Sequence, residues 1–388
     1  MNPPRSHTYL DHSATTPVDP RVVEAMAPYW STIFGNTESS HSFGRDAANA
    51  LERARQTVAS VLGCRLSEIV FTGSGSESDN LALRGAAWAA QRARQGNHIV
   101  TTPIEHHAVG RTIDQLRDLF NFRVDRVPVD QHGLVNPDDV AAAIRPDTVL
   151  VSVILANNEI GTIQPIAEIG EVCQSRGVLF HTDAVQAPGR LPLKPDELNI
   201  DLLALSAHKF YGPKGVGLLY VRRDTPMISA TTGGDHERGR RPGTVNVAGA
   251  VGLATALRLA EETRPDTHER LSFLRDRMID GILDRIPDTR LTGHPECRMP
   301  QHASFVFRGI EGESIVQALD MAGIAASSGA ACAEGEPEPS FVLRALGLPP
   351  AWGIGSLRLT LGRGNDKADV NRLLDVLPRI IGRLREDA

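Results

Sequence analysis

Cysteine is scarce in this sequence: Cys64, Cys173, Cys297 and Cys332 are spread over 388 positions. None stands in a CxxC or CxxH spacing, which argues against a structural zinc site. Few, scattered thiols fit a reducing cytoplasm, the expected location. Uninterrupted apolar runs long enough to cross a bilayer are missing, so no membrane partner is expected. The opening residues MNPPRSHTYLDHS lack the apolar stretch of a secretory signal, and none is expected. There is no long basic run either, and the net charge is −6. Binding along a nucleic-acid backbone needs clustered Lys and Arg, so no direct nucleic-acid binding is expected. The RGRR at 238–241 is short and set among glycines, and is not a basic arm by itself. Internal repeats and low-complexity tracts are absent too.

What is present is ordinary for a soluble globular protein, with 41% hydrophobic and 23% charged residues. Asp19 can cap a helix that opens on Pro20, with Val23, Met26 and Trp30 spaced to share a face. A second helix runs through DAANALERARQTVASVLG, lined by Leu51, Ala54, Val58 and Val61 and ended by Gly63. EIVFT then reads as a strand, GSGSES as a turn and DNLALRGAAWAAQRARQG as a helix. Beyond it HIVTT, FRVDRVPVD, TVLVSVIL, VLFHTD, DLLALSA and VGLLYVRR read as strands, PDDVAAAI and IAEIGEVCQSRG as helices. Buried runs alternating with helices predict an α/β fold on a mostly parallel sheet covered on both faces.

A break near residue 260 is followed by EETRPDTHERLSFLRDRMIDGIL, which predicts one long helix. The short strands ASFVFRG and SLRLTLGR and a closing helix KADVNRLLDVLPRIIGRL predict a smaller α/β C-terminal domain. The length exceeds one small core, so two domains are expected: a large one over 16–260, and a small one over 1–15 and 261–388. SSGAACAEGEPEPSF at 327–341 breaks the pattern and predicts an exposed loop holding Cys332. An exposed thiol is open to oxidation and needs a reason to be there.

Three stretches carry chemistry. VLFHTD ends a strand at Asp183 and puts a carboxylate at the edge where ligands of open α/β sheets bind; an ordinary helix-capping Asp is the alternative. DLLALSAHKFYGPKGVG leads an apolar strand into Ser206, His208 and Lys209. A lysine there is either a snorkelling surface residue or a desolvated amine able to form a Schiff base. An amine and a carboxylate on strand ends of one sheet suggest pyridoxal phosphate, which wants a Lys for its aldehyde, an Asp for its ring nitrogen and a phosphate cradle. FTGSGSESDN offers the cradle: Gly73, Gly75 and Ser76 follow a strand and open a helix, so backbone N–H groups and the helix dipole can face an anion. Its spacing fails the dinucleotide pattern, and the GPKG turn after Lys209 lacks the Walker spacing.

Together these segments resemble the cysteine desulfurases. YLDHSATTPVDPRV, FTGSGSESDNLAL, EHHAV, NNEIGTIQPI, HTDAVQA, SAHKFYGPKGVG, HERGRRPGT, SSGAAC, EPSFVLRALGL and SLRLTLGR occur in family order over 9–363. The resemblance implies a fold-type-I transferase dependent on pyridoxal 5'-phosphate, with a seven-stranded, mostly parallel sheet. It implies that Lys209 carries the cofactor and Asp183 keeps the ring nitrogen protonated. Gln186 and Asn158 would meet the ring hydroxyl. His106 would stack on the ring and move protons at the substrate thiol, with His107 structural. Gly75 belongs to the cradle, and Ser76, Ser206 and His208 would hold the phosphate. Thr244 would reach it from a second subunit of a homodimer, and Arg358, with Asn36, would bind the substrate carboxylate.

The implied reaction turns L-cysteine into L-alanine, with Cys332 taking the sulfur as a persulfide for an acceptor protein such as an iron–sulfur scaffold. The loop after Cys332 is long, as in the family branch with a mobile loop. A selenocysteine lyase and a non-catalytic sulfur-relay scaffold are the competing readings. Asp235, Thr37 and Glu38 depart from the family pattern in the backbone around the site, and Glu334 and Glu336 in the loop. Negative charge beside Cys332 disfavours its thiolate and is expected to favour a basic acceptor surface.

Overall fold

The computed structural model describes residues 7–329, 331–333 and 336–386, of which 331–333 and 336–338 are described as backbone. After β1 (Thr8–Tyr9) come α1 (Pro20–Met26), α2 (Pro28–Ser31) and the long α3 (Ser42–Leu62). Next follow β2 (Ile69–Thr72), α4 (Gly75–Arg92), β3 (His98–Thr101), α5 (His107–Phe120) and β4 (Arg123–Arg126). Then come α6 (Pro137–Ala143), β5 (Thr148–Ser152), α7 (Ile166–Arg176), β6 (Leu179–Asp183), β7 (Leu202–Ser206) and β8 (Gly217–Val221). These strands form a seven-stranded sheet in the order β2-β8-β7-β6-β5-β3-β4. Only β8 runs against its neighbours, β2 and β7.

The strand sequences dictate this placement. Leu202, Leu203 and Leu205 on β7, and Leu150 and Val151 on β5, are fully buried, because a parallel strand carries apolar residues on both faces. Alternation sends Val151, Leu203 and Leu205 to one core with α1, α3 and α7, and Leu150 and Leu202 to another with α4 and α5. Edge strand β4 is mostly exposed, with an arginine at each end.

Two further helices, α8 (Val247–Glu262) and α9 (Arg264–Arg285), lead to β9 (Thr289–Leu291), β10 (His302–Phe307) and α10 (Gly312–Met321). The rest comprises β11 (Ile324–Ala325), β12 (Ala331–Ala333), β13 (Glu336–Glu338), α11 (Phe341–Ala345), α12 (Pro350–Gly353), β14 (Ser356–Thr360) and α13 (Lys367–Glu386). An antiparallel sheet, β14-β10-β9, shares a core with α9, α10 and α13, and Leu10 from the N-terminal strap is part of it.

Three expectations are corrected. Val23 and Trp30 are 54% and 64% exposed, whereas Val22 and Met26 face the core. The assumed repeat runs across a helix break at Ala27 and Pro28, so Trp30 belongs to a separate short helix. The single helix expected from Glu261 is divided: Glu261 and Glu262 close α8, and α9 restarts after Thr263 with Pro265 in its first turn, where the missing N–H costs nothing. The stretch expected as a loop holds a β-hairpin, with Cys332 opposite Pro337.

The three arginines of the RGRR segment bond to the protein itself, next to a buried ion pair. Glu237 pairs with Arg55 at 2.7 Å, their side chains 1% and 5% exposed. The same carboxylate accepts from Phe71 N–H at 2.8 Å. Arg238 and Arg240 donate to the carbonyls of Leu66 and Ser67, and Arg241 to Glu77. Removing one partner of a buried pair strands the other charge. Glu237→Ala is therefore expected to destabilise the protein by about 3–5 kcal/mol in chemical denaturation. An unchanged midpoint would show that the clasp adds nothing.

Candidate active site

A cavity of about 310 Å³ opens at the C-terminal edge of the large sheet. Strands β6 and β7 are parallel neighbours, with Asp183 opposite Ala204, so both end at the same edge. Asp183 is the last residue of β6; Ser206 ends β7, and a single 3₁₀ turn then carries His208 and Lys209. Ten expected residues line this cavity: Lys209, Asp183, Gln186, Asn158, His106, Gly75, Ser76, Ser206, His208 and Arg358.

The amine and the carboxylate are set differently. Lys209 Nζ donates to the carbonyls of Ser13 and Ala14, both at 2.7 Å. Burial first, then the nearby Arg358, brings its pKa down to about 8. Asp183 accepts the Val185 N–H at 2.9 Å and is 5% exposed. Burial pushes its carboxyl up, while His106, the Val185 N–H and Lys209 oppose the shift.

The anion end is built on α4. Ser74 caps the helix by accepting from Glu77 N–H, and Gly75 and Ser76 form its first turn. A Cβ on Gly75 would lie 2.9 Å from Val185 Cγ2 and 3.1 Å from Ser206 Cβ, so the turn packs against the ends of both strands only as glycine. The Gly73 N–H is taken by Glu77 at 2.6 Å and is not part of the cradle. His208 meets Thr15 Oγ1 at 3.1 Å, and burial lowers its pKa to about 4, so it is neutral near neutral pH.

The remaining groups face the same space. His106 caps α5, its Nδ1 accepting from Ala108 N–H. Gln186 donates to Ser13 O at 3.1 Å. Arg358 donates to Asp11 at 2.9 Å and to Asn158 O at 3.2 Å. Gln186 Oε1, Ser13 Oγ and Arg358 Nε are buried without a hydrogen-bond partner among the described residues. A glycine-lined helix N-terminus, a buried amine, a buried carboxylate and orphaned polar atoms fit pyridoxal phosphate, with its phosphate, aldehyde, ring nitrogen and hydroxyl.

Other expected residues lie elsewhere. Asn36 is exposed, its Oδ1 accepting from Glu38 N–H, and Thr244 is exposed beyond the Glu237 clasp; neither lines the cavity. His107 opens α5 with its ring 4.8 Å from that of Phe341. Cys332 is placed by its backbone in β12. Its side chain and that of Glu336, and all of Glu334, lie outside the described residues.

Sequence reading missed two buried acids, Asp79 in the cavity lining and Glu105 close by. Asp79 and Glu105 are 1% and 2% exposed. Burial pushes Glu105 up to about 8. His181 donates to or accepts from Ser152 Oγ at 2.8 Å, and burial brings it down to about 3. The available signal for Asp79 was its spacing: four residues after Gly75, it returns to the same helix face.

Residues 8–373 match the aminotransferase class-V family. The chain belongs to that family, whose members depend on pyridoxal 5'-phosphate. Within it the chain groups with the cysteine desulfurases. "Cysteine desulfurase IscS" of Clostridium botulinum is 48% identical over 380 residues, 97% of this chain and 95% of that protein. A solved "NifS-like protein" is 35% identical with a TM-score of 0.91, covering 97% of this chain and 100% of its own. The structure of "SspA in complex with cysteine" is 34% identical with a TM-score of 0.80, covering 91% of this chain and 98% of its own.

Two outcomes are expected. Gly75→Val should weaken cofactor binding roughly ten-fold or more, read by cofactor titration, since the added carbons collide with two strand ends. Unaltered affinity would remove Gly75 from the cradle. Capture of pyridoxal phosphate by the apoprotein needs a neutral Lys209. Its rate should therefore climb with pH and level off above about 8, where a rate still rising toward the ordinary 10.5 would contradict the lowered pKa.

Proposed function

We propose that this enzyme is a cysteine desulfurase that converts L-cysteine to L-alanine and passes the sulfur through Cys332 to an acceptor protein. The observation that carries it is the convergence of Lys209, Asp183 and Arg358 on one cavity at the sheet edge. Bound pyridoxal phosphate supplies an electron sink for bond breaking at the substrate. Arg358 binds the substrate carboxylate as a planar, charge-assisted donor. Lys209, with its amine poised near neutral pH, removes the Cα proton. Asp183 holds the proton on the ring nitrogen, and Gln186 and Asn158 meet the ring hydroxyl. Ser76, Ser206, His208 and the α4 N-terminus hold the phosphate.

His106 moves a proton at the substrate thiol. Cys332, as thiolate, would attack the substrate sulfur as the Cβ–S bond breaks; the bonding pair would stay on the carbon side, which takes up a proton on the way to alanine, and Cys332 would keep the sulfur as a persulfide. Residues 16–260 form the cofactor-binding unit, and 1–15 with 261–388 bring Arg358 and Cys332 to it. A homodimer, with Thr244 reaching the phosphate from the second subunit, completes the site. Asn36 assists with the substrate carboxylate. The acceptor is a sulfur-receiving protein such as an iron–sulfur scaffold, met in the cytoplasm. The relatives' names favour this reading over a selenocysteine lyase or a non-catalytic scaffold.

L-Alanine released from L-cysteine is the measurement, with wild type against Cys332→Ala. The wild type is expected to release alanine, and the variant to lose turnover by roughly a hundred-fold or more while its cofactor band still responds to cysteine. Equal release would end the persulfide role of Cys332. No release by the wild type would end the desulfurase reading.

A further inference from the structure

Asp79 lines the cavity and, with His181 behind it, forms a buried pair that the reaction above does not use. Asp79 on α4 has Oδ1 3.4 Å from His181 Nε2 on β6. Both atoms are buried, and neither has a hydrogen-bond partner among the described residues. His181 Nδ1 lies 2.8 Å from Ser152 Oγ on β5. One ligating atom each of Asp79, His106 and Asp183 lies within 4.8 Å of the others.

One proton between Asp79 and His181 satisfies both orphaned atoms. It has two possible homes. On His181 it leaves Asp79 an anion; on Asp79 it makes a neutral acid that donates to Nε2, with His181 Nδ1–H donating to Ser152. The groups facing Asp79 decide between them. Asp183 and Glu105 are both acids, and burial keeps His181 uncharged. His106 and Lys209 lie toward Asp183 and act on that carboxylate. Two carboxylates this close and this dry do not both ionise. Burial, Asp183 and Glu105 all hold Asp79 well above the usual carboxylate range.

We propose that Asp79 is a positioning residue: it stands as a neutral acid, donates its hydrogen to His181 Nε2, and leaves Asp183 the single carboxylate charge presented to the cofactor's ring nitrogen. The proposal rests on the reading that this cavity takes pyridoxal phosphate. An ionised Asp79 would drive a proton onto Asp183, and a neutral Asp183 cannot hold a charge on the ring. The chain of Asp79, His181 and Ser152 ties α4, which forms the phosphate cradle, to β6, which carries Asp183.

The test compares Asp79→Asn, which donates to His181 but cannot ionise, with Asp79→Leu, which does neither. In the holoenzyme, Asp79→Asn should leave the pH midpoint of the visible cofactor band within about 0.3 units of wild type. It should also keep cofactor affinity, which Asp79→Leu lowers roughly ten-fold. A midpoint lowered by about half a unit or more in Asp79→Asn would mean that an anion had been removed, and would overturn the proposal. So would equal loss of affinity in both variants.

A second arm uses the apoprotein and needs neither cofactor nor substrate. A buried acid with a raised pKa keeps its proton folded and releases it unfolded, so stability falls as pH rises between the two values. With Asp183→Asn in both proteins to remove the neighbouring acid, the apoprotein that keeps Asp79 should therefore lose more stability between pH 5 and 8 than the one that also carries Asp79→Asn, the contribution of Glu105 being common to both. Equal slopes would overturn the proposal. A wild type that shows no cofactor band would instead defeat the reading of the cavity, and the slopes would still report on Asp79.

Discussion

A buried amine has to find oxygen, and the oxygens that Lys209 finds are the carbonyls of Ser13 and Ala14. That requirement fixes the path of the N-terminal strap. Upstream, β1 pairs in parallel with β11, and Leu10 enters the core around β10 and β14. Downstream, Thr16 N–H reaches His208 O, and Asp19 N–H reaches Tyr211 O. Asp11 in between accepts from Arg358. The two sheets are thus joined across the cavity by a segment whose backbone serves as ligand for the buried lysine. Little freedom is left to that segment, because each carbonyl that meets Nζ also orients the residues that meet Arg358.

Charge around the cavity is rationed by burial. His208 and His181 are held neutral, and the acids below are pushed toward their protonated forms. An anion at the α4 end therefore meets backbone N–H groups, hydroxyls and a helix dipole rather than a crowd of cations. The guanidinium of Arg358 stands at the other end, where its carboxylate partner Asp11 is offered by the strap and can be exchanged for one on a substrate. One end of the cavity is thus suited to a doubly charged phosphate, the other to a single carboxylate.

Much of this was legible because strands write their burial plainly. Unbroken apolar runs such as DLLALSA end on residues that line the cavity, so position marked Asp183 and Lys209 as candidates, and the resemblance chose between a site role and an ordinary cap or snorkelling side chain. Faces and partners were harder. Val23 and Trp30 obey a helical spacing, but Pro28 interrupts the helix between them, and only packing against α8 selects Val22 instead. The Cys332 stretch has no apolar alternation, so nothing local announced a hairpin made by backbone pairing. Asp79 reads from the sequence as the first residue of a helix, DNLAL, where a carboxylate ordinarily faces water or caps. Its burial follows from how closely Gly75 brings α4 to the strand ends, which is a tertiary fact. Glu237 was hidden in the same way, since its partner Arg55 lies far away in the chain.

The strap also sets an order of assembly. Thr8 and Leu10 leave the ribosome long before their backbone partners Gly323, Ala325 and Thr360 are made. Domains fold as they emerge, at roughly 5–20 residues per second. The large sheet from β2 to β8 can close while synthesis continues, but the seam that positions Ser13 and Ala14 against Lys209 has to wait for β14. Until then the growing polypeptide carries a lysine-bearing sheet edge without its lid of carbonyls, and a nascent chain halted before Ser356 cannot have a finished cavity.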